Sequence, residues 1–253
     1  MSFVDEEAIY ALMEKLFGEI WKEVLGETLA TPFVRLSYEE AMSRYGTDKP
    51  DLRFEMELKD LTPVFSQTGF KRFQEILAQG GVILGVCAPG GAELSAKETD
   101  DLIALVQAEG AKGMVPVRVT EKGLVSPVLK HLESELTDSV KQLGAKTGDL
   151  VLMVADQPKV AQRALGAVRV ALGQRLKLLP EKSTFVFAWV TDFPLFQRNE
   201  KENRWDSEHH PFTAPFDEDL PLLEKSPGKV RSRSYDLILN GVELGSGSIR
   251  IHQ

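Results

Sequence analysis

Apolar residues in the first segment recur at i, i+3 and i+4: Ala8, Ile9, Leu12, Met13, Leu16, Phe17, Ile20, Trp21, Val24 and Leu25. This spacing predicts an amphipathic helix with a core-facing stripe. Asp5 can cap its start, Glu6 and Glu7 suit its first turn, and Gly26 can end it. Residues 36–42 read as a second, short helix capped by Ser37, followed by a polar loop over 45–53. From about residue 64 the pattern shortens. Residues 82–86 form an apolar run expected to be a strand. Ser95 and Glu98 have capping-box spacing and open a helix through Leu102, Ile103, Leu105 and Val106, with Gly110 to close it. Residues 115–119 alternate like a strand, which Pro116 places at an edge or a strand start. Helical spacing resumes at Val128, Leu129 and Leu132, residues 150–154 form a strand, and residues 160–179 form a helix. Strand and helix thus alternate, predicting a compact α/β unit of about a hundred residues. After Pro180, residues 185–190 form a strand that Asp192-Phe193-Pro194 breaks, and residues 197–210 read as a long polar loop.

The chain closes with a hairpin. Asn240-Gly241 between two apolar runs is the signature of a two-residue type I′ turn. That turn sets Leu239 opposite Val242, Ile238 opposite Glu243, and, in a regular ladder, Leu237 opposite Leu244 and Asp236 opposite Gly245. Asp236 and Glu243 then share one face as a diagonal pair, with Cα atoms about 7–8 Å apart. Two readings of that face stand side by side. It is simply wet, as one face of an antiparallel sheet often is, or it holds a hard cation such as Mg²⁺ with bound phosphate. Arg250 has the wrong parity to join the carboxylates in a regular strand. Gly245-Ser246-Gly247-Ser248 lies between, and one extra residue there would bring Arg250 onto their face. A guanidinium so placed could grip a carboxylate ligand bidentately; otherwise it is an ordinary sheet-surface arginine.

Composition narrows the chemistry. The 253 residues are 43% hydrophobic and 27% charged, a globular balance for one or two domains. A net charge of −8 excludes a general polyanion binder, though not local nucleic-acid contact. A single cysteine, Cys87, excludes an internal disulfide and a multi-cysteine metal site, and its apolar setting makes it a small buried hydrophobe rather than a nucleophile. His209 and His210 are adjacent, point apart in an extended chain, and have no nearby Cys or third His to complete a zinc site. They suit a polar lid over a ligand. No apolar run reaches 18 residues, and the N-terminus has neither a basic nor an apolar signal region. The expectation is a cytoplasmic protein without a membrane span.

Four segments resemble bacterial-type aspartyl-tRNA synthetase, a class II enzyme, in order and in spacing: residues 45–53 (YGTDKPDLR), 189–194 (WVTDFP), 209–213 (HHPFT) and 235–252 (YDLILNGVELGSGSIRIH). The middle stretch, with Gly110-Ala111-Lys112-Gly113-Met114, resembles the GAD insertion domain shared with a tRNA-dependent amidotransferase subunit. The resemblance implies an α+β fold: part of a class II antiparallel catalytic sheet with helices, over residues 1–63 and 179–253, interrupted by a compact GAD-like α/β domain over 64–178. It implies that Glu243 and Asp236 bind ATP through Mg²⁺. It also implies that Arg250 clamps the side-chain carboxylate of L-aspartate and that His209 contacts the amino acid from a mobile loop. Aspartate would attack the α-phosphate of ATP, and the adenylate would pass its aspartyl group to tRNA, in an enzyme that is a homodimer when whole. The sequence lacks the family's anticodon-reading domain, motif 1, and the motif 2 and motif 3 arginines. It therefore resembles an internal segment, expected to be inactive alone. Ser246 stands where the family commonly has glycine, and Glu208 where it has an apolar residue. The alternative from another class is a non-catalytic tRNA- or protein-binding module built around the insertion. Lys159, Arg163, Arg169, Arg175 and Lys177 make the 160–179 helix basic. That is ordinarily a solvated face, and on the sharper reading a tRNA-facing one.

Overall fold

A computed structural model describes residues 3–180 and 184–252. In chain order the elements begin with α1 (Glu6–Leu25), β1 (Val34–Ser37), α2 (Tyr38–Tyr45), β2 (Lys59–Asp60), α3 (Lys71–Ala78) and β3 (Val82–Ala88). They continue with α4 (Ala96–Ala108), β4 (Val115–Thr120), β5 (Gly123–Val125), α5 (Leu129–Leu143), β6 (Leu150–Asp156) and α6 (Pro158–Arg175). The last are β7 (Phe187–Thr191), β8 (Phe196–Asn199), β9 (Arg204–Ser207), α7 (Leu222–Lys225), β10 (Ser234–Leu239) and β11 (Val242–Ser248). No described helix is long and apolar enough to cross a membrane. The chain forms two compact units, one of residues 1–41, 49–52 and 184–253 and the other of residues 42–48 and 53–183. The expected boundaries at 64 and 178 differ from this division. The second unit starts earlier because Phe54, Met56, Leu58 and Leu61 are core residues of it.

In the first unit a four-stranded sheet runs β1-β7-β10-β11. The β7–β10 and β10–β11 pairs are antiparallel, as expected, but β1 lies parallel to β7. Helix α1 has the predicted ends. Asp5 accepts a hydrogen bond from the Ala8 N–H at 2.9 Å, and Gly26 adopts the left-handed conformation of a C-cap. Its apolar stripe is two stripes. Ile9, Met13, Phe17 and Trp21 pack with Tyr10 on Phe33 and on Phe187, Trp189, Tyr235 and Leu237 of the sheet. Leu12, Leu16, Ile20 and Val24 point outward and are exposed. Buried Glu14 ties helix to sheet, accepting from Trp189 Nε1 at 3.1 Å and from the Phe33 N–H at 3.2 Å.

Two local expectations shift. Leu36 belongs to strand β1 rather than to α2, although Ser37 caps α2 as expected in a reciprocal box with Glu40: Ser37 N–H to Glu40 Oε2 at 2.8 Å, Glu40 N–H to Ser37 Oγ at 3.1 Å. The stretch expected as a polar loop over 197–210 contains the hairpin β8–β9. Polar cross-strand partners build it, including Asn199 Nδ2 donating to Asp206 at 2.9 Å and Arg198 lying over the Trp205 ring.

In the second unit a five-stranded sheet runs β2-β3-β6-β4-β5, and every pair is antiparallel. The alternation of strand and helix therefore does not build parallel βαβ units. Both faces of the sheet are covered. Along β6, Leu150, Leu152 and Val154 join one core, while Val151 and Met153 join the other. Burial on both sides explains why this strand reads as a continuous apolar run. Pro116 lies at the start of β4, ahead of the residues that pair with β5, yet β4 is flanked by β6 and β5 rather than at an edge. Ser95 and Glu98 form the expected capping box of α4.

Helix α6 contains the largest departure from expectation. Arg169, assigned by its neighbours to a solvated basic face, is fully buried. Its guanidinium donates to the carbonyls of Met56 (3.0 Å), Phe54 (2.7 Å) and Glu55 (3.1 Å) and stacks over the rings of Phe54 and Tyr45. Gly46, at φ 71°, lets the 45–48 loop press against α6: a Cβ there would lie 2.8 Å from Gly166 N.

Candidate functional site

The terminal hairpin is built as its sequence demands. Asn240 (φ 53°) and Gly241 (φ 83°) take the two left-handed positions of the turn, and Leu239–Val242 and Ile238–Glu243 pair across it. The Asn240 side chain anchors the turn, donating to the Thr184 carbonyl at 2.8 Å and accepting from the Val186 N–H at 3.0 Å. On the other side Gly241 abuts Asp51, to which a Cβ would come within 3.2 Å.

The ladder then slips by one residue. Leu237 pairs with Gly245, Asp236 with Ser246, Tyr235 with Gly247 and Ser234 with Ser248, so Leu244 is the extra residue. The irregularity precedes the 245–248 stretch where it was expected. By the pleat, Asp236, Glu243, Ser246 and Ser248 now share a face, whereas Arg250 lies beyond the end of β11 at Ser248, where strand parity no longer fixes it. Asp236 is buried, paired with Val190 in β7, whereas Glu243 is partly open and forms an ion pair with Lys49, Oε2 to Nζ 2.9 Å.

Past Ser248 the chain leaves β11 and runs antiparallel to the His209–Thr213 motif. The Ile251 N–H donates to the Phe212 carbonyl (2.9 Å), the Ala214 N–H to the Ile249 carbonyl (2.8 Å), and Thr213 Oγ1 to Ser248 Oγ (3.2 Å). Arg250 bridges Thr213 and is exposed. It lines an open cavity of about 820 Å³ with Val4, Asp5, Ile9, Arg233 and Tyr235, and neither Asp236 nor Glu243 lines that cavity. His209 sits edge-on to Phe193 at 4.6 Å, and His210 packs on Phe212. Backbone pairing thus brings the Arg250 and histidine segments together, and the turn brings Asp236 and Glu243 onto one face.

The sequence reading passed over the charges at the carboxyl end of β7. Asp192, read only as a strand break, holds a left-handed φ of 57°, and its carboxyl is raised above its ordinary range by burial, with Arg231 opposing. It shares a cavity with Glu6, Glu7, Arg35, Glu218 and Arg233. There Arg35 grips Glu7 (2.6 and 2.8 Å) and Arg233 grips Glu6 (2.6 and 2.5 Å), both bidentately. These partners are far apart in the chain, so no local spacing announces them.

Asp236 and Glu243 are two carboxylates on one hairpin face, the number of protein carboxylates that Mg²⁺ commonly takes while leaving its remaining positions to phosphates and water. They do not make a cage of their own: among the described residues no group of three or more His, Cys, Asp or Glu is placed to hold a metal. Cys87 is only partly buried, short of the fully buried position expected of it. Burial and the neighbouring Asp149 carboxylate push its thiol up to about 12.

Comparison with known proteins places the chain. The family model for tRNA synthetases class II (D, K and N) matches residues 1–253. Aspartate–tRNA ligase of Clostridium perfringens is 46% identical over 253 residues, which are all of this chain and 42% of the relative. Aspartate–tRNA(Asp/Asn) ligases of Moorella thermoacetica and Geotalea uraniireducens are 49% and 47% identical, again over the whole chain and over 42% and 43% of their own lengths. The chain spans less than half the length of these relatives. It belongs to the class II tRNA synthetases of the D, K and N group, matching aspartate–tRNA ligases from end to end.

Proposed function

We propose that this chain supplies part of the aspartate-activating site of an aspartate–tRNA ligase. Substrates are L-aspartate, ATP and tRNA, and the reaction passes through aspartyl-adenylate. Glu243 and Asp236 hold the magnesium that accompanies ATP, and that ion, when bound, supplies positive charge at the phosphates. Arg250 receives the side-chain carboxylate of aspartate through its planar fork. His209, on the segment paired with 249–251, contacts the amino acid. The protein forms no covalent bond with either substrate in this scheme; it orients two anions and offsets their repulsion. The complete enzyme is a homodimer, and residues 64–178 are its GAD-like insertion.

The pairing of residues 249–251 with 212–214 carries the reading: it sets Arg250 against the His209–Thr213 motif, the two segments to which aspartate binding is assigned here. Aspartate-dependent ATP–pyrophosphate exchange in the full-length protein tests it. Arg250→Lys is expected to raise the KM for aspartate at least tenfold with the KM for ATP little changed, because an ammonium cannot reproduce a two-pronged contact. An unchanged aspartate KM would refute the assignment of Arg250.

A further inference from the structure

Lys49 and Glu243 come from segments distant in sequence, yet their charges meet at 2.9 Å. The meeting is built. Gly241 seats the hairpin turn against Asp51, two residues beyond Lys49, so the 49–52 segment and the start of β11 are held side by side. The Lys49 side chain is 42% exposed and that of Glu243 31% exposed. A half-open pair of this kind is weak, worth little in folding, and its flexible four-carbon stem can swing to a new partner. One Glu243 oxygen is engaged by the lysine, in a site whose proposed ligand is a metal–triphosphate.

We propose that Lys49 is a phosphate-binding residue that neutralises Glu243 in the empty protein and turns to the triphosphate of ATP when the metal takes that carboxylate. The inference rests on the reading of Glu243 given above. It explains why a lysine is docked beside a carboxylate reserved for a cation. The pair keeps the site from holding an uncompensated negative charge, and its exchange leaves both groups with oppositely charged partners.

Calorimetric titration of the full-length protein with Mg²⁺·ATP and, separately, with AMP tests this without relying on turnover. Lys49→Met is expected to weaken Mg²⁺·ATP about fivefold, the scale of one half-exposed charge contact, and to leave AMP binding unchanged. Lys49→Arg should recover most of the loss. Wild-type affinity of Lys49→Met for Mg²⁺·ATP would overturn the proposal. So would an equal loss for ATP and AMP, which would mark a structural role. Glu243→Gln separates the two readings. If it binds Mg²⁺·ATP normally while Lys49→Met does not, the assignment of Glu243 falls and the phosphate role of Lys49 stands. If Glu243→Gln is weakened and Lys49→Met is not, only the present inference falls.

Discussion

Replacing Arg169 with methionine keeps the stem and removes the guanidinium from the middle of the second unit. The guanidinium donates to the carbonyls of Phe54, Glu55 and Met56. Phe54 and Met56 are buried, while Glu55 is exposed and its carbonyl can turn to water. Two buried carbonyls therefore lose their charged donor, at about 1–3 kcal/mol each. The stacking over Phe54 at 4.0 Å adds about 0.5–2 kcal/mol. Met56 also sits at φ 79°, a left-handed conformation that costs a non-glycine residue about 1–3 kcal/mol and persists only when its surroundings impose it. Relief of that strain and filling by the methionine stem return part of the loss. The net expectation is about 3–5 kcal/mol for Arg169→Met. Arg169→Lys should cost about 2–3 kcal/mol, because one ammonium cannot span three carbonyls and stack as well. All three tryptophans (Trp21, Trp189 and Trp205) lie in the first unit, so fluorescence is blind to this perturbation. Native-state hydrogen exchange at the amides of β3 and β6 is the assay, with urea as the perturbant. A loss below about 1 kcal/mol in those strands would refute the claim that the guanidinium holds the 54–56 segment.

Two further outcomes follow from single contacts. A Cβ at Gly247 would lie 2.7 Å from the Tyr235 ring, whereas one at Gly245 would meet nothing within 4 Å. Gly247→Val should thus cost about 1–3 kcal/mol in a urea transition followed by tryptophan fluorescence, and Gly245→Val under about 0.5 kcal/mol; equal losses would contradict the packing. Arg231 holds the carboxyl of Asp219 below its usual range through side-chain and backbone hydrogen bonds. A depressed carboxylate lends stability above its unfolded pKa that is lost as pH falls through the folded one. Asp219→Asn should accordingly cost about 1–2 kcal/mol at pH 7, with the gap closing as the pH drops below about 4.

Short-range features of this chain were legible in its sequence. The caps at Asp5, Ser37 and Ser95, the left-handed Gly26 and the Asn240-Gly241 turn each depend on residues within four positions of one another, so local geometry decides them. The turn alone also placed Asp236 and Glu243 on one face, because a two-residue loop leaves the register no freedom. Tertiary structure decided the rest. Only packing against the sheet separates the inward stripe of α1 from the outward Leu12, Leu16, Ile20 and Val24, since both have helical spacing. Arg169 looks like its basic neighbours until the 54–56 carbonyls, more than a hundred residues away, turn toward it. The slip at Leu244 depends on the whole β10–β11 ladder, and the Lys49–Glu243 and Arg233–Glu6 pairs join segments that no spacing rule connects. A periodic pattern reports which face of an element is apolar; which partner meets that face, and which charge closes on which, is set by contacts that exist only once the chain has brought distant segments together.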